Sequence, residues 1–109
     1  MDNMTRTSVM QFIERISSQY DVAGFILFGS RARDDFQPDS DADVAVLIKG
    51  GHGDFVATKL AMADIAFDVL LDTGIRIQPL PIWEDEWEHP EFYPNPRLLE
   101  NIEREGLRL

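Results

Sequence analysis

The sequence contains no cysteine. That removes disulfide frameworks and thiolate metal sites, and it is compatible with a reducing cytosol. No apolar run approaches the ~20 residues that a bilayer span needs, and Met1 to Met10 holds no apolar signal core. A soluble, cytoplasmic protein without membrane association is therefore expected. Basic residues are scarce, 10 Lys and Arg against 20 Asp and Glu, for a net charge of −10. A field of that sign repels phosphate backbones, so direct nucleic-acid binding is not expected. It suits a basic protein partner or a site that gathers divalent cations, and it also serves solubility. The two histidines, His52 and His89, lie far apart with no cysteine to join them, which argues against zinc.

What is present fits a single domain over residues 1–109. Domains cluster around ~100–150 residues, and 44% hydrophobic residues can fill one small core. No repeat or low-complexity tract interrupts the chain.

Apolar residues at Val9, Phe12, Ile13 and Ile16 recur at helical spacing between Thr7 and Tyr20. Val22 to Phe28 reads as a buried strand ending at Gly29-Ser30. Arg31 to Asp41 is polar and turn-rich, with Pro38, Asp39 and Ser40. Asp43 to Ile48 reads as a second strand with Val44, Val46 and Ile48 on one face. The loop Lys49-Gly50-Gly51-His52-Gly53 is expected to be flexible. Asp54 is placed to cap a second long helix, closed by Gly74, whose inward stripe would be Val56, Leu60, Ala63, Phe67, Leu70 and Leu71. A third strand is expected from Ile75 to Leu80, stopped by Pro79 and Pro81. Glu84 to His89 reads as a short helical turn. Asn95-Pro96 opens a last helix that Gly106 ends. The order predicts an α/β (α+β) fold, a small mixed sheet flanked by helices.

The informative stretch is Phe28-Gly29-Ser30-Arg31-Ala32-Arg33 followed by Asp41-Ala42-Asp43. Gly29 allows a sharp turn and close approach to a ligand. Ser30 would open a short helix whose free N–H groups and positive dipole end suit phosphates. Arg31 and Arg33 add positive charge, although Arg33 has Asp34 and Asp35 as alternative partners. Asp41 and Asp43 stand two apart entering a strand, so their carboxylates share a face. Two such carboxylates repel unless a cation lies between them, and Mg²⁺ takes one or two protein carboxylates plus phosphate oxygens.

Gly29-Ser30 followed by Asp41-x-Asp43 resembles the polymerase-β-like nucleotidyltransferase superfamily. More narrowly, it resembles the minimal nucleotidyltransferases that act as antitoxins beside HEPN-domain toxins. The resemblance runs from the first helix to the third strand. It implies that Gly29 and Ser30, with Arg31 and Arg33 nearby, bind the triphosphate of ATP, and that Asp41 and Asp43 are catalytic and coordinate Mg²⁺. It further implies a hetero-oligomer with a HEPN-type RNase toxin, silenced by transfer of AMP to one of its tyrosines. Active members carry a third carboxylate on the strand after the long helix. Here that stretch reads Ile75-Arg76-Ile77-Gln78-Pro79, with Arg76 or Gln78 in the place and Asp68 and Asp72 on the preceding helix as the nearest acids. The departure bears on transfer more than on nucleotide or metal binding. It keeps open a binding-only antitoxin that neutralises a basic toxin by contact. Transfer to a small molecule such as an antibiotic is a third alternative.

The segment from Trp83 to Tyr93 mixes aromatic residues with five acids. It reads either as a partner surface or as two tryptophans lidding the core over solvated acids. Leu98, Leu99 and Ile102 are expected in the core, and Arg97, Arg104 and Arg108 on the surface.

Overall fold

The computed structural model describes all 109 residues. The first helix, α1 (Asn3–Ser17), begins ahead of the apolar periodicity because the Asp2 carboxylate accepts the Thr5 N–H at 3.3 Å. β1 (Val22–Phe28) follows, then a short helix α2 (Ser30–Arg33), β2 (Ala42–Ile48), the long helix α3 (Phe55–Thr73) and β3 (Ile77–Trp83). The chain closes with α4 (Glu84–Glu88), a 3-10 turn (Pro90–Phe92), α5 (Pro96–Glu105) and a two-residue strand β4 (Leu107–Arg108). None of the helices is long and apolar enough to cross a membrane.

The sheet runs β3-β2-β1-β4. β1 is antiparallel to both β2 and β4, and β2 is parallel to β3. Along β2 the side chains alternate. Ala42, Val44, Val46 and Ile48 face a core built with Val9, Phe12 and Ile16 of α1 and Met62, Ile65, Ala66 and Val69 of α3. Ala45 and Leu47 face a second, smaller core with Ile26, Ile82, Leu99 and Ile102. Both faces of β2 are thus covered, the condition that makes a central strand apolar at every position but Asp43. The expected one-faced pattern describes half of that burial.

Several local signals act as expected. Asp54 accepts the Ala57 N–H at 3.0 Å and Gly74 ends α3 at φ 81°. Asn95 caps α5, Pro96 takes its first position and Gly106 closes it. Gly106 is required there, because a Cβ would run into the Ile102 carbonyl and the Ile26 side chain.

Three expectations are corrected. The third strand starts at Ile77 and passes through Pro79 and Pro81 to Trp83. The two prolines stand two apart on an edge strand, so their missing N–H groups point together to the open edge and the ladder to β2 survives. The inward face of α3 is Met62, Ile65, Ala66 and Val69. The stripe of Val56, Leu60, Ala63, Phe67 and Leu71 turns outward, with Leu60 at 64% and Phe67 at 56% exposure. The helix is apolar nearly all round, and periodicity then cannot choose a face. Finally, Trp83 is buried and Trp87 packs on the second core, as a lid requires, but Glu86 is buried with them rather than solvated. The glycine loop is tied down over this region. Gly50 N–H donates to Glu84 at 2.9 Å, His52 stands 3.4 Å from Glu86, and Gly53 lies against the Trp83 ring.

Candidate functional site

β1 delivers the chain to Gly29, which adopts φ 75° and ψ −159°, a region essentially reserved for glycine. A Cβ at this position would collide with the Asp43 carboxylate. The turn is therefore pressed directly onto the second strand, where Phe28 pairs with Asp43 in the ladder. Ser30 then opens α2. The Gly29 carbonyl accepts from the N–H groups of Ala32 and Arg33 at 3.1 and 3.2 Å, leaving the first N–H groups of the turn without helical partners. Gly29→Ala should combine backbone strain with displacement of Asp43, and cost about 1–3 kcal/mol. Urea unfolding would measure it, and an unchanged midpoint would mean that the turn is looser than drawn.

The two arginines part company. Arg33 is exposed, 3.1 Å from Asp35 and 3.7 Å from Glu105. Arg31 turns inward and is 3% exposed. Its guanidinium donates to the Ser40 carbonyl at 2.9 Å, the Thr5 hydroxyl at 2.9 Å and the Pro38 carbonyl at 3.2 Å, and it stacks 4.4 Å from the Phe36 ring centre. Its donors hold the turn that leads to Asp41, where the sequence reading assigned them to phosphate.

Asp41 and Asp43 share the sheet face of Ala45 and Leu47 by strand alternation. Burial raises the carboxyl pKa of Asp43 above the ordinary 3.8, and the neighbouring charge of Asp41 raises it further; Arg33 and Lys59 act in opposition. A raised folded-state pKa means that stability is lost as pH rises through it. Asp43→Asn should thus stabilise the ligand-free protein at pH 7. Asp43 is half-buried, so the gain is modest, on the order of 1 kcal/mol or a few degrees in Tm. Thermal melts should show the gain shrinking as pH falls toward the ordinary carboxylate value of 3.8, where the unfolded chain takes up the proton as well.

The parallel ladder shows which residue stands beside Asp43 on the neighbouring strand. Gln78 is the register partner of Asp43, whereas Arg76 lies before the strand and its carbonyl accepts from Ala42 N–H at 2.9 Å. Asp68 and Asp72 point elsewhere, to Arg15 of α1 at 3.7 and 2.9 Å. No cluster of three His, Asp or Glu side chains is positioned to hold a metal ion.

Sequence reasoning missed Lys59. It looks like an ordinary helix-surface lysine, and only the β2-α3-β3 crossover brings it toward Gln78. There it lines a groove of about 320 Å³ with Arg76, Gln78 and Pro79, and its charge reaches Asp43. A larger cavity of about 720 Å³ lies past the other end of β2, among His52, Phe55, Glu86, Phe92, Tyr93 and Leu98. It has acids and aromatics but no Lys or Arg, which is unsuited to a triphosphate. Burial, assisted by the charge of Glu86, raises the Tyr93 hydroxyl pKa there.

Comparison with known proteins bears on the family and the fold. The profile of a family described as a nucleotidyltransferase domain matches residues 9–107. Among curated proteins no relative is matched. Among solved structures the fold is similar to a protein from Sulfolobus solfataricus provisionally assigned as a nucleotidyltransferase, with a TM-score of 0.52 and 21% identity over 81% of each chain.

Proposed function

Because the chain belongs to the nucleotidyltransferase domain family, we propose that it is an Mg²⁺-dependent enzyme that transfers AMP from ATP to a tyrosine hydroxyl of a HEPN-type RNase toxin, and so acts as that toxin's antitoxin. One observation carries the transfer reading: the Gly29-Ser30 turn is packed onto Asp43, with Asp41 beside it on the same face.

The pair is suited to a hard divalent cation. Its donors are carboxylate oxygens, and burial together with mutual repulsion disfavours its full ionisation; a bound cation offsets both. Mg²⁺ would supply charge neutralisation at the phosphate oxygens when bound to Asp41 and Asp43. The Ser30 turn orients the triphosphate with its open N–H groups and hydroxyl, and exposed Arg33 adds positive charge. Transfer forms a bond between the acceptor oxygen and the α-phosphorus, breaks the bond from that phosphorus to the bridging oxygen, and releases pyrophosphate. The acceptor proton needs a base. Gln78 cannot take it, so the partner or solvent has to. The chain's net charge of −10 favours a basic partner.

Gln78 also favours a second reading, in which the fold neutralises the toxin by contact alone. The test is label transfer from α-labelled ATP with Mg²⁺ to the protein that co-purifies with this chain or is encoded beside it, comparing wild type with Asp41→Ala/Asp43→Ala. Label on the toxin that is lost in the variant supports transfer. Absence of label, with neutralisation intact in the variant, supports contact alone.

A further inference from the structure

The outward face of α3 carries an apolar ridge exposed at Val56, Leu60 and Phe67, with Leu70 half-buried at its edge. Val56, Leu60, Ala63, Phe67 and Leu70 follow one another by four, three, four and three residues. That alternation is the seam of a two-helix coiled coil, positions a and d of a heptad. The face of α3 packed on the sheet is a separate one, Met62, Ile65, Ala66 and Val69. The helix therefore grips its own domain with one side and presents a helix-pairing seam on the other. Val56, Leu60 and Phe67 are 65%, 64% and 56% exposed, and Leu71 beside them is 68% exposed. Together they expose on the order of 400 Å² of apolar surface, within the range of the largest patches on soluble monomers, which are often functional.

The charges along the seam select the occupant. With Leu60 and Phe67 at a, Lys59 occupies g and Asp64 occupies e of the same repeat as Leu60. In a parallel helix pair each g residue faces the e residue five positions further along the other helix, and such pairs set partner and orientation. Here that rule brings lysine to aspartate, twice by symmetry. Lys59 and Asp64 take no part in the ion pairs within the chain. An antiparallel pair would set g against g and e against e, and lose the match. Asp68 and Asp72 lie off the seam on Arg15. At physiological salt the Debye length of about 8 Å screens the remaining acid repulsion.

We propose that a second copy of this chain sits on α3. The two helices run parallel about a two-fold axis, with their a and d residues interlocked and Lys59 of each protomer paired with Asp64 of the partner subunit. The inference goes beyond the proposed activity and does not depend on it.

Sedimentation equilibrium of the purified chain, from about 1 to 100 µM in physiological salt, should report a dimer. Phe67→Asp should weaken the dimer at least ~100-fold, since it places a charge in the core of a desolvated seam, with an unchanged circular dichroism spectrum because Phe67 is largely exposed in the protomer. Lys59→Asp should weaken it less, and Lys59→Asp/Asp64→Lys should restore it. The chain has no cysteine, so Leu60→Cys provides a single thiol. In the parallel register that residue meets its own copy, and mild oxidation should cross-link the dimer. A monomer at every concentration would overturn the proposal and leave the ridge to another protein. A dimer indifferent to Phe67→Asp would overturn it as well. A dimer that neither cross-links through Leu60→Cys nor recovers with the charge swap would overturn the parallel pairing.

Discussion

Arg31→Ala should lower the thermal midpoint by on the order of 10 °C, from a loss of about 3 kcal/mol or more. Hydrogen bonds from a charged donor are worth about 1.5–3 kcal/mol each, and leaving a buried acceptor unpaired costs desolvation besides. Arg31 serves three acceptors from two regions. The Thr5 hydroxyl belongs to α1, and the carbonyls of Pro38 and Ser40 belong to the turn before Asp41. Thr5 is fully buried, so no water replaces the lost donor without opening the helix. The effect extends to Asp2. Its carboxyl pKa is held below the ordinary value first by the hydrogen bond from Thr5 and to a lesser degree by the charge of Arg31, so the α1 cap loosens with the turn. Arg31→Lys should recover little, because one ammonium group cannot reproduce a planar fork that spans three acceptors. Thermal and urea melts of the two variants settle the matter. A change below about 1 kcal/mol in Arg31→Ala, within the range of ordinary surface substitutions, would show that Pro38 and the Gln37-Ser40 contacts hold the turn unaided.

The same residue shows where sequence reading stops. Arg31 and Arg33 look alike in sequence, two basic residues after a Gly-Ser turn. Helix geometry sends one under α1 and the other toward solvent, and the α1 partner of the buried one, Thr5, lies 26 residues away. Signals that work through neighbours were legible. Asp54, Gly74, Asn95-Pro96 and Gly106 satisfy or terminate helix ends within a few positions of themselves, and the strand alternation that puts Asp41 and Asp43 on one face is equally local. Features set by distant contacts were not legible. Pro79 and Pro81 read as strand breakers because the edge position of β3 depends on the sheet order. The outward ridge of α3 read as core because an apolar helix with two candidate faces is resolved only by what packs on it. β4 is two residues long and exists because Leu107 and Arg108 fall beside Leu27 and Ile26. The third position of the site was narrowed to Arg76 or Gln78 from sequence, and the parallel register with Asp43 was needed to choose between them.

That register yields the prediction with the largest effect on chemistry. Gln78→Asp places a third carboxylate directly beside Asp43 on the neighbouring strand. If the chain transfers nucleotides weakly for want of a base and a third metal donor, the substitution should raise Mg²⁺-dependent label transfer by ~10²–10⁴-fold, the range that a positioned proton acceptor commonly contributes. The gain should come with a cost in the metal-free protein. Asp43 is already disfavoured in its charged form by burial and by Asp41, and another acid at its side raises that penalty. Tm without Mg²⁺ should fall below wild type and recover as the cation is added, since binding to the native state alone stabilises it. Lys59 and Arg76, in the groove beside Gln78, temper the repulsion, so the loss is expected to be a few degrees rather than unfolding. The two readouts separate the possibilities. A Mg²⁺-dependent recovery in Tm with no gain in transfer would mean that the cation binds but the acceptor geometry is absent, which favours neutralisation by contact. A gain in both would mean that Asp41, Asp43 and the Ser30 turn form a competent site in which Gln78 is the restraint.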